Sequence, residues 1–323
     1  MLNIVIIGAG QLGSRHLQSL TKCINILNIY VVDSSMESLR IAKIRFDECN
    51  QNFKGTVSYL NTLSDLPNEI EIAIVATSAK SRKLVLIDLL NKRVVKNLIL
   101  EKFLFINEKD FFEVKELLFI SKTNTYVNCP RRLIDFYSQV KAEITTPFQF
   151  TVTGNNWGLG CNGIHFVDLF SYLSNSTNIT ISNSLVANSV LESKREGYFE
   201  FSGTITGDDG LNSFSITSFN SDISPVQILI SSPTIRYLII EGSVSKINKS
   251  ELKNNWVWET TEFKFPMQSE LTHLVIDEIL NTGRCSLTTY EKSMKLHLIF
   301  LKTLLSKLRL IKNDNLISEC PIT

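Results

Sequence analysis

Short apolar runs alternate with amphipathic segments along residues 1–120. The runs Leu2–Ile7, Ile29–Val32 and Ile70–Thr77 are rich in Ile and Val, as buried strands are. Alternation of such runs with helical periodicity predicts a parallel, doubly wound sheet of the Rossmann type. The other elements predicted here are strands over Thr56–Leu60, Asn97–Leu100 and Tyr126–Cys129, and helices over Met36–Cys49, Ser81–Asn91 and Glu108–Thr123.

The pattern changes near residue 130. From Ile179 to Val257 the chain is rich in Ser, Thr and Asn, and apolar residues alternate with polar ones, which predicts an antiparallel sheet with one solvated face. The flanking segments predict a strand over Phe148–Thr153, a glycine-rich loop over Gly154–Gly163, and helices over Leu133–Ile144, Ile164–Leu173, Gln268–Asn281 and Thr289–Arg309. We therefore expect an α/β protein, with a Rossmann domain over residues 1–125 and an α+β domain with an open, mainly antiparallel sheet over residues 126–323.

Composition excludes several classes of function. The 33 basic and 32 acidic residues nearly cancel, and no Lys- or Arg-rich run interleaves with aromatic residues, so we expect no nucleic-acid partner. No apolar stretch is long enough to span a membrane, and we expect no signal peptide. The cysteines are scattered and the four histidines lie far apart, so we predict a cytoplasmic protein without a metal site.

A glycine turn joins the first strand to the first helix. It reads Gly8-Ala9-Gly10-Gln11-Leu12-Gly13. In such a turn the first glycine permits the bend, the second lets a pyrophosphate approach the backbone, and the third lets the helix pack against the strand. The amides of Gln11, Leu12 and Gly13, at the positive end of the helix, would hold the phosphates. The turn predicts a dinucleotide cofactor; the alternative is an ordinary strand–helix turn that uses glycine for packing.

Asp33 indicates which dinucleotide binds. It ends the second strand, 20 residues after Gly13, where a carboxylate accepts hydrogen bonds from the adenosine ribose and repels a 2′-phosphate. We predict NAD, with NADP less favoured because it would depend on nearby Ser34, Ser35 or Arg40. Ligands of doubly wound sheets bind outside the carboxyl ends of the strands, so the cofactor-binding residues expected beyond the turn are Asp33, Thr77, Glu101 and Lys102.

Three further motifs follow in order along the chain. Glu101-Lys102-Phe103 follows one predicted strand, Cys129-Pro130-Arg131-Arg132 follows the next, and Cys161-Asn162-Gly163-Ile164-His165-Phe166-Val167-Asp168 leads into a helix. Together with the glycine turn and the open sheet, they resemble the Gfo/Idh/MocA family of dehydrogenases (glucose–fructose oxidoreductase, inositol dehydrogenase, rhizopine catabolism). The resemblance covers nearly the whole chain, and Cys285–Ser293 is similar to the start of that family's last helix.

The resemblance implies catalytic roles. Lys102 matches the lysine of the family's E-K-P triplet, which reaches the substrate hydroxyl, and His165 matches a histidine that contacts substrate and acts as acid or base. Asp168, three residues after His165, would orient a neighbour or simply favour the helix start. Phe103 replaces the proline of the triplet. Because a non-proline cis bond costs about 3 kcal/mol, a trans bond is expected there, and it would displace Lys102.

Cys161 falls where many relatives carry an acid. A thiol transfers a proton only when its pKa is tuned, since an unperturbed one titrates near about 8.5. Three interpretations stay open. His165 works with Lys102 alone, Cys161 contacts the substrate as part of the catalytic set, or catalysis has been lost and binding kept.

Two groups of polar residues are candidate substrate contacts. Arg131 or Arg132 could clamp an anionic group bidentately, or face solvent as ordinary surface charge. Asn156 and Trp157 precede the Cys161 segment. An exposed indole and amides suit sugar binding, and the alternative is a turn with a buried aromatic anchor.

These expectations combine into a leading hypothesis. We expect an NAD-dependent oxidoreductase that moves a hydride to or from a secondary alcohol of a sugar, nucleotide sugar or sugar derivative. A homodimer or homotetramer formed through the C-terminal sheet is implied by the resemblance. The first alternative is a catalytically silent NAD-binding regulatory or sensor protein, and a second is an imine or biliverdin-type reductase.

Overall fold

Alternating strands and helices build the first structural unit. The computed structural model describes residues 1–193 and 195–322, and unit 1 comprises residues 1–105, 109–130 and 266–291. Its strands are β1 Leu2–Ile7, β2 Leu27–Val32, β3 Thr56–Leu60, β4 Glu69–Val75, β5 Val94–Glu101, β6 Asn124–Asn128 and β17 Thr288–Thr289. Its helices are α1 Gln11–Leu20, α2 Met36–Asp47, α3 Arg82–Lys92, α7 Thr272–Thr282 and α4 Glu108–Ser121, whose first residue lies in unit 2.

The strands of unit 1 form one sheet. Within the described residues their order is β17-β6-β5-β4-β1-β2-β3, with β1 to β6 parallel and β17 antiparallel to β6. The side chains of β1 and β4 from Ile4 to Ile6 and from Ile72 to Ile74 are fully buried, as expected for strands covered on both faces. The chain runs from β1 to β2 on one side and later to β4 on the other. Such a reversal opens a crevice at the carboxyl ends of β1 and β4, where ligands of this fold bind.

Residues 266–291 return to unit 1 late in the chain. Here α7 lies against α1: the Ser19 hydroxyl accepts a 2.9 Å hydrogen bond from the His273 backbone amide, and the Asp277 carboxylate accepts one of 3.3 Å from the Ile24 amide. The domain boundary expected at residue 125 falls inside β6, and residues 266–291, which were expected in the second domain, belong to unit 1. Local periodicity identifies α7 as a helix but carries no information about which sheet it covers.

Unit 2 contains the second sheet. It comprises residues 106–108, 131–265 and 292–323. Its strands are β7 Gln149–Asn155, β8 Thr180–Val186, β9 Leu191–Glu192, β10 Phe199–Glu200, β11 Gly203–Asp208, β12 Ser213–Phe219, β13 Gln227–Ser231, β14 Ile235–Ile240, β15 Ser245–Glu251 and β16 Trp258–Phe263. The helices are α5 Asp135–Glu143, α6 Leu159–Ser174 and α8 Tyr290–Lys312, whose first two residues lie in unit 1.

The large sheet of unit 2 is open and mainly antiparallel, as predicted. Among the described strands the order is β16-β15-β14-β13-β7-β12-β11-β8, and the β7–β12 pair is parallel. One face carries buried side chains such as Phe150 and Ile228. Phe170 of α6 packs on this face, with its ring centroid 5.0 Å from that of Phe214. No helix in the described parts of the chain is long and apolar enough to cross a membrane.

Candidate functional site

The glycine turn between β1 and α1 has the geometry its sequence predicts. Gly8 has φ +97°, and a Cβ there would lie 2.9 Å from the Ala76 carbonyl oxygen. A Cβ on Gly13 would lie 1.7 Å from the Gly8 carbonyl oxygen. A Cβ on Gly10, in contrast, would meet nothing within 4 Å. Gly8 and Gly13 are therefore required by packing, whereas Gly10 borders open space through which a pyrophosphate could approach.

The start of α1 is open to an anion. Gly10 is the N-cap, no described side chain caps the helix, and no acidic residue lies in the first turn. Gln11 and Leu12 are exposed. Unsatisfied amides and the positive end of the helix dipole favour a negatively charged ligand at this position.

Asp33 lies beside the turn at the end of β2. Its carboxylate accepts hydrogen bonds from the Ala9 amide at 2.7 Å and from the Ser35 amide at 2.8 Å. Arg40, which could have served a 2′-phosphate, instead donates to Glu37 at 2.8 and 2.7 Å in an exposed pair. The Ser35 hydroxyl accepts from the Ser38 amide at 3.2 Å and caps α2.

Thr77 follows β4 across the crevice. Its hydroxyl oxygen is buried and has no hydrogen-bond partner among residues 1–193 and 195–322. Buried hydroxyls normally find a partner, so this oxygen has hydrogen-bonding capacity that a ligand could satisfy. Together with the open space at Gly10, the uncapped helix and the Asp33 carboxylate, this geometry fits a dinucleotide.

Glu101 is buried at the end of β5 and belongs to a hydrogen-bonded network. Its carboxylate contacts His16 Nε2 at 2.8 Å and accepts from Asn128 Nδ2 at 2.5 Å. Burial alone raises the pKa of Glu101, but the hydrogen bond and charge of His16, aided by Asn128 and Lys102, outweigh it and hold that pKa below its usual value. The Glu101 carboxylate therefore joins β5 to α1 and β6. The expectation that Glu101 also binds the cofactor stays a prediction.

The network continues into the returning segment. His16 Nδ1 lies 2.8 Å from the Thr272 hydroxyl. Asn128 Nδ2 donates to Gln268 Oε1 at 2.9 Å, and Gln268 Nε2 donates to the Thr272 hydroxyl at 2.9 Å. Polar groups from distant parts of the chain thus satisfy one another at the carboxyl end of the sheet.

Lys102 is half-buried directly after β5. The Lys102–Phe103 peptide bond is cis, so the expectation of a trans bond is wrong. Phe103 is fully buried, and its carbonyl oxygen accepts a hydrogen bond from the guanidinium of Arg82. Tertiary contacts, which the local sequence does not reveal, surround this turn.

Glu200 occupies the start of α6. Its carboxylate accepts hydrogen bonds from the Gly160 amide at 2.8 Å and the Cys161 amide at 3.1 Å. The helix therefore begins at Leu159, five residues before the predicted start at Ile164, inside the segment expected to be a loop. A carboxylate is thus present beside Cys161, although it comes from another strand.

Cys161 and Glu200 line one cavity of about 330 Å³ in unit 2, together with Trp157, Asn162 and Glu192. The Cys161 thiol contacts the Gly158 carbonyl oxygen at 3.7 Å. His165 lies one turn further along α6 and is partly exposed. The acid–base roles of Cys161 and His165 remain predictions from the resemblance.

The two arginines expected to clamp an anion are paired within unit 2. Arg132 donates to both carboxylate oxygens of Asp168, at 2.9 and 2.8 Å, and Asp168 is buried. Arg131 donates to Glu241 through both terminal nitrogens and stacks 4.4 Å from the centroid of the Phe166 ring. Asp168 therefore forms a buried ion pair with Arg132, and Arg131 is paired with Glu241. The substrate-binding role of the two arginines and the catalytic role of Asp168 stay predictions from the sequence.

Trp157 and Asn156 follow β7. The indole N–H donates to the Thr217 carbonyl oxygen at 2.8 Å, and the ring packs edge-on against Phe166 at 5.2 Å. Asn156 has φ +48°, and its side-chain amide donates to the Ser221 carbonyl oxygen. Trp157 is therefore half-buried, as in the second of the two alternatives, a turn with an aromatic anchor, and it also lines the cavity.

Several residues were missed by the sequence interpretation. Arg82, Glu200, Gln268 and Thr272 act through partners far away in sequence, so no local motif identifies them. His16 carried a weak signal, three residues after Gly13. Within the described residues, no group of three or more His, Cys, Asp or Glu side chains is arranged to hold a metal ion.

Comparisons with known proteins agree with this geometry. Residues 2–127 match the Gfo/Idh/MocA model, described as an oxidoreductase family with an NAD-binding Rossmann fold. No curated protein matches the sequence.

Three similar solved structures extend over nearly the whole chain. A Gfo/Idh/MocA family oxidoreductase from Vibrio cholerae has a TM-score of 0.69 at 14% identity, covering 97% of this chain and 100% of its own. The super-repressor mutant of Gal80p from Saccharomyces cerevisiae has a TM-score of 0.69 at 13% identity, covering 95% and 96%. UDP-N-acetylglucosamine 3-dehydrogenase GnnA from Acidithiobacillus ferrooxidans has a TM-score of 0.65 at 10% identity, covering 94% and 96%. The resemblance stated from the sequence is thereby confirmed for the nucleotide-binding domain and the fold.

Proposed function

We propose that this chain, which carries the NAD-binding Rossmann domain of the Gfo/Idh/MocA oxidoreductases, is an NAD-dependent dehydrogenase acting on a secondary alcohol of a sugar or nucleotide sugar. The observation that carries the proposal is the dinucleotide geometry of unit 1. Open space at Gly10, the uncapped start of α1 and the buried Thr77 hydroxyl lie at the carboxyl end of the sheet that also carries Lys102.

The preference for NAD rests on charge. The Asp33 carboxylate stands beside the turn, and in the described part of the chain its hydrogen-bond partners are the backbone amides of Ala9 and Ser35, which carry no positive charge. A 2′-phosphate would meet this charge at close range, whereas a ribose diol can donate to it. The pairing of Arg40 with Glu37 removes the best candidate for phosphate binding.

The chemistry needs a group that handles the hydroxyl proton. When bound, NAD supplies the hydride acceptor or donor. The Lys102 ammonium would donate to the substrate oxygen and stabilise its developing negative charge. The resemblance assigns a second acid–base role to His165. In support of the substrate class, one similar structure is a nucleotide-sugar dehydrogenase.

The cofactor half of the proposal is tested by titration. Replacing a carboxylate that accepts charge-assisted hydrogen bonds costs about 1.5–3 kcal/mol, so we expect D33N to weaken NAD binding about 10- to 100-fold. NADP, in contrast, should bind D33N as well as or better than it binds the wild type. The matched control is E48Q, an exposed carboxylate at the carboxyl end of the next helix, away from the glycine turn. Equal loss of NAD and NADP in D33N would contradict the assignment.

The catalytic half is tested by turnover. Purified protein is incubated with NAD and a panel of sugars and nucleotide sugars, and the absorbance of reduced nicotinamide is followed. We expect at least one active substrate, and a loss of about 100-fold or more in kcat for K102A. A parallel screen of NADH oxidation with imines and biliverdin tests the reductase alternative.

A second candidate function is a catalytically silent NAD-binding regulator. It is favoured by two observations, the thiol of Cys161 at the position of an acid and the structural similarity to a repressor. Tight NAD binding without turnover on any substrate in the panel would support this function and overturn the enzymatic one.

A further inference from the structure

Arg82, the first residue of α3, is a buried cation near the proposed active site. Only 1% of its surface is exposed. Burial of a guanidinium is costly unless hydrogen bonds replace its water. A buried arginine at the start of a helix is also placed against the helix dipole, which disfavours positive charge at that end. We therefore expect hydrogen bonds from the Arg82 guanidinium to offset the cost of burying its charge.

Those contacts are backbone carbonyls from two loops. One terminal nitrogen donates to the Thr77 carbonyl oxygen, after β4. The other donates to the carbonyl oxygens of Phe103 and Leu104, after β5, the latter at 2.9 Å. Since β4 and β5 are parallel neighbours, a single planar group joins the ends of two adjacent strands.

Lys102 lies between two fixed points. On its amino side, Glu101 is held by His16 and Asn128. On its carboxyl side, Phe103 is held through its carbonyl by Arg82. The direction in which the Lys102 side chain leaves the backbone is therefore set from both sides.

We propose that Arg82 is a positioning residue: it aligns the Lys102 turn with the Thr77 loop and so directs the Lys102 ammonium toward the nicotinamide end of the cofactor site. The inference rests on the proposed function. A lysine at this position could not replace the arginine, because an ammonium lacks the planar fork that reaches both loops at once.

The chain offers a matched control in Arg93. It is half-buried directly before β5, at the opposite end of that strand from Lys102. Its guanidinium donates to the Ser64 carbonyl oxygen at 2.7 Å and the Lys92 carbonyl oxygen at 2.9 Å. R93M removes guanidinium–carbonyl hydrogen bonds at the opposite end of β5 without touching the proposed site.

The experiment measures how well bound NADH protects Lys102. Wild type, R82M, R82K and R93M are labelled by reductive methylation with and without saturating NADH, and the rate at Lys102 is followed by mass spectrometry. Labelling of the exposed Lys115 serves as internal reference. NADH affinity is measured separately by fluorescence.

We expect NADH to protect Lys102 in the wild type and in R93M. In R82M the protection should disappear while NADH affinity changes less than about threefold, because the amides of α1 and Asp33 remain. If R82M fails to fold, R82K, which keeps the charge, decides: protection weaker than in R93M supports the inference, and equal protection overturns it.

The outcomes separate the two proposals. If NADH binds the wild type but leaves Lys102 unprotected, the proposed function fails and the inference fails with it. If Lys102 is protected equally in wild type and R82M, only the inference is overturned. With an active substrate in hand, a positioning role further predicts a fall in kcat of about 100-fold with little change in KM for NAD.

Discussion

Gly10 and Gly13 differ in what surrounds the position of a Cβ atom. At Gly13 that position is filled by the Gly8 carbonyl oxygen, 1.7 Å away, and at Gly10 it is empty out to 4 Å. Substitution by alanine should therefore reduce folding stability at Gly13 and weaken cofactor binding at Gly10. Comparing the two variants tests whether the open space at Gly10 receives a ligand.

We expect G10A to fold like the wild type and to bind NAD at least about tenfold more weakly, because the methyl group would occupy the approach of the pyrophosphate. G13A should lose about 1–3 kcal/mol of folding free energy or more through overpacking. Urea unfolding and NAD titration of both variants check this. A G10A protein with unchanged NAD affinity would show that the turn serves packing alone.

At the scale of elements, α6 depends on a partner from another strand. Its first amides are satisfied by Glu200 of β10 rather than by a residue just before the helix. Helix N-termini favour a nearby carboxylate, both by hydrogen bonding and through the helix dipole. The position of Cys161 thus rests on a contact between residues 39 apart.

We expect E200A to lower the free energy of unfolding by about 1–2 kcal/mol, the usual cost of losing a cap together with a favourable charge. The control is E192A, an exposed carboxylate on the paired strand β9, which should cost less than about 0.5 kcal/mol. The comparison uses the midpoints of urea unfolding, provided that the slope of the unfolding free energy against urea concentration is the same for both variants. Equal midpoints for the two variants would mean that the Glu200 contact adds nothing to stability.

The elements of unit 1 were largely predictable from sequence because strand and helix periodicity is local. Thr56–Leu60 was predicted at its observed bounds, and α3 was displaced by one residue. The start of α6 and the pairing of Arg131 and Arg132 were not predictable, because their carboxylate partners Glu200, Glu241 and Asp168 lie far away in sequence. A sequence motif identifies the chemical groups of its residues, but it does not identify the distant residues that form hydrogen bonds or ion pairs with them.

At the scale of the whole molecule, the Glu101 network joins segments that are distant in sequence. Glu101, His16, Asn128, Gln268 and Thr272 come from β5, α1, β6 and the returning segment. Because the folded-state pKa of Glu101 lies below its ordinary value of 4.5, its contribution to stability is present above that value. It is lost as the pH falls through the folded-state pKa.

We expect the unfolding free energy of the wild type to exceed that of E101Q most clearly above about pH 5, and the difference to shrink as the pH falls below it. H16Q, which removes the main partner of Glu101, should lose the same pH-dependent component. Denaturant titrations over this pH range measure both. A difference that does not vary with pH would contradict the assignment.

We predict that copies of the chain associate through the outward face of the large sheet in unit 2. Leu229 of β13 is 36% exposed there and lies opposite Leu238 of β14. If copies of the chain pair through this face, L229E should shift the protein toward monomer, because burying a carboxylate there is unfavourable. L211E, at an exposed residue off the strands, is the control. Light scattering that reports a monomer for the wild type would contradict the prediction.

The late return of residues 266–291 to unit 1 has a consequence for protein synthesis. A ribosome releases residues 1–130 long before α7 is made, so α1 and His16 emerge without the surface and hydroxyl that later cover them. A chain stopped near residue 130 would lack this cover. We therefore expect the nascent chain to bind a dinucleotide only after residues 266–291 have been made.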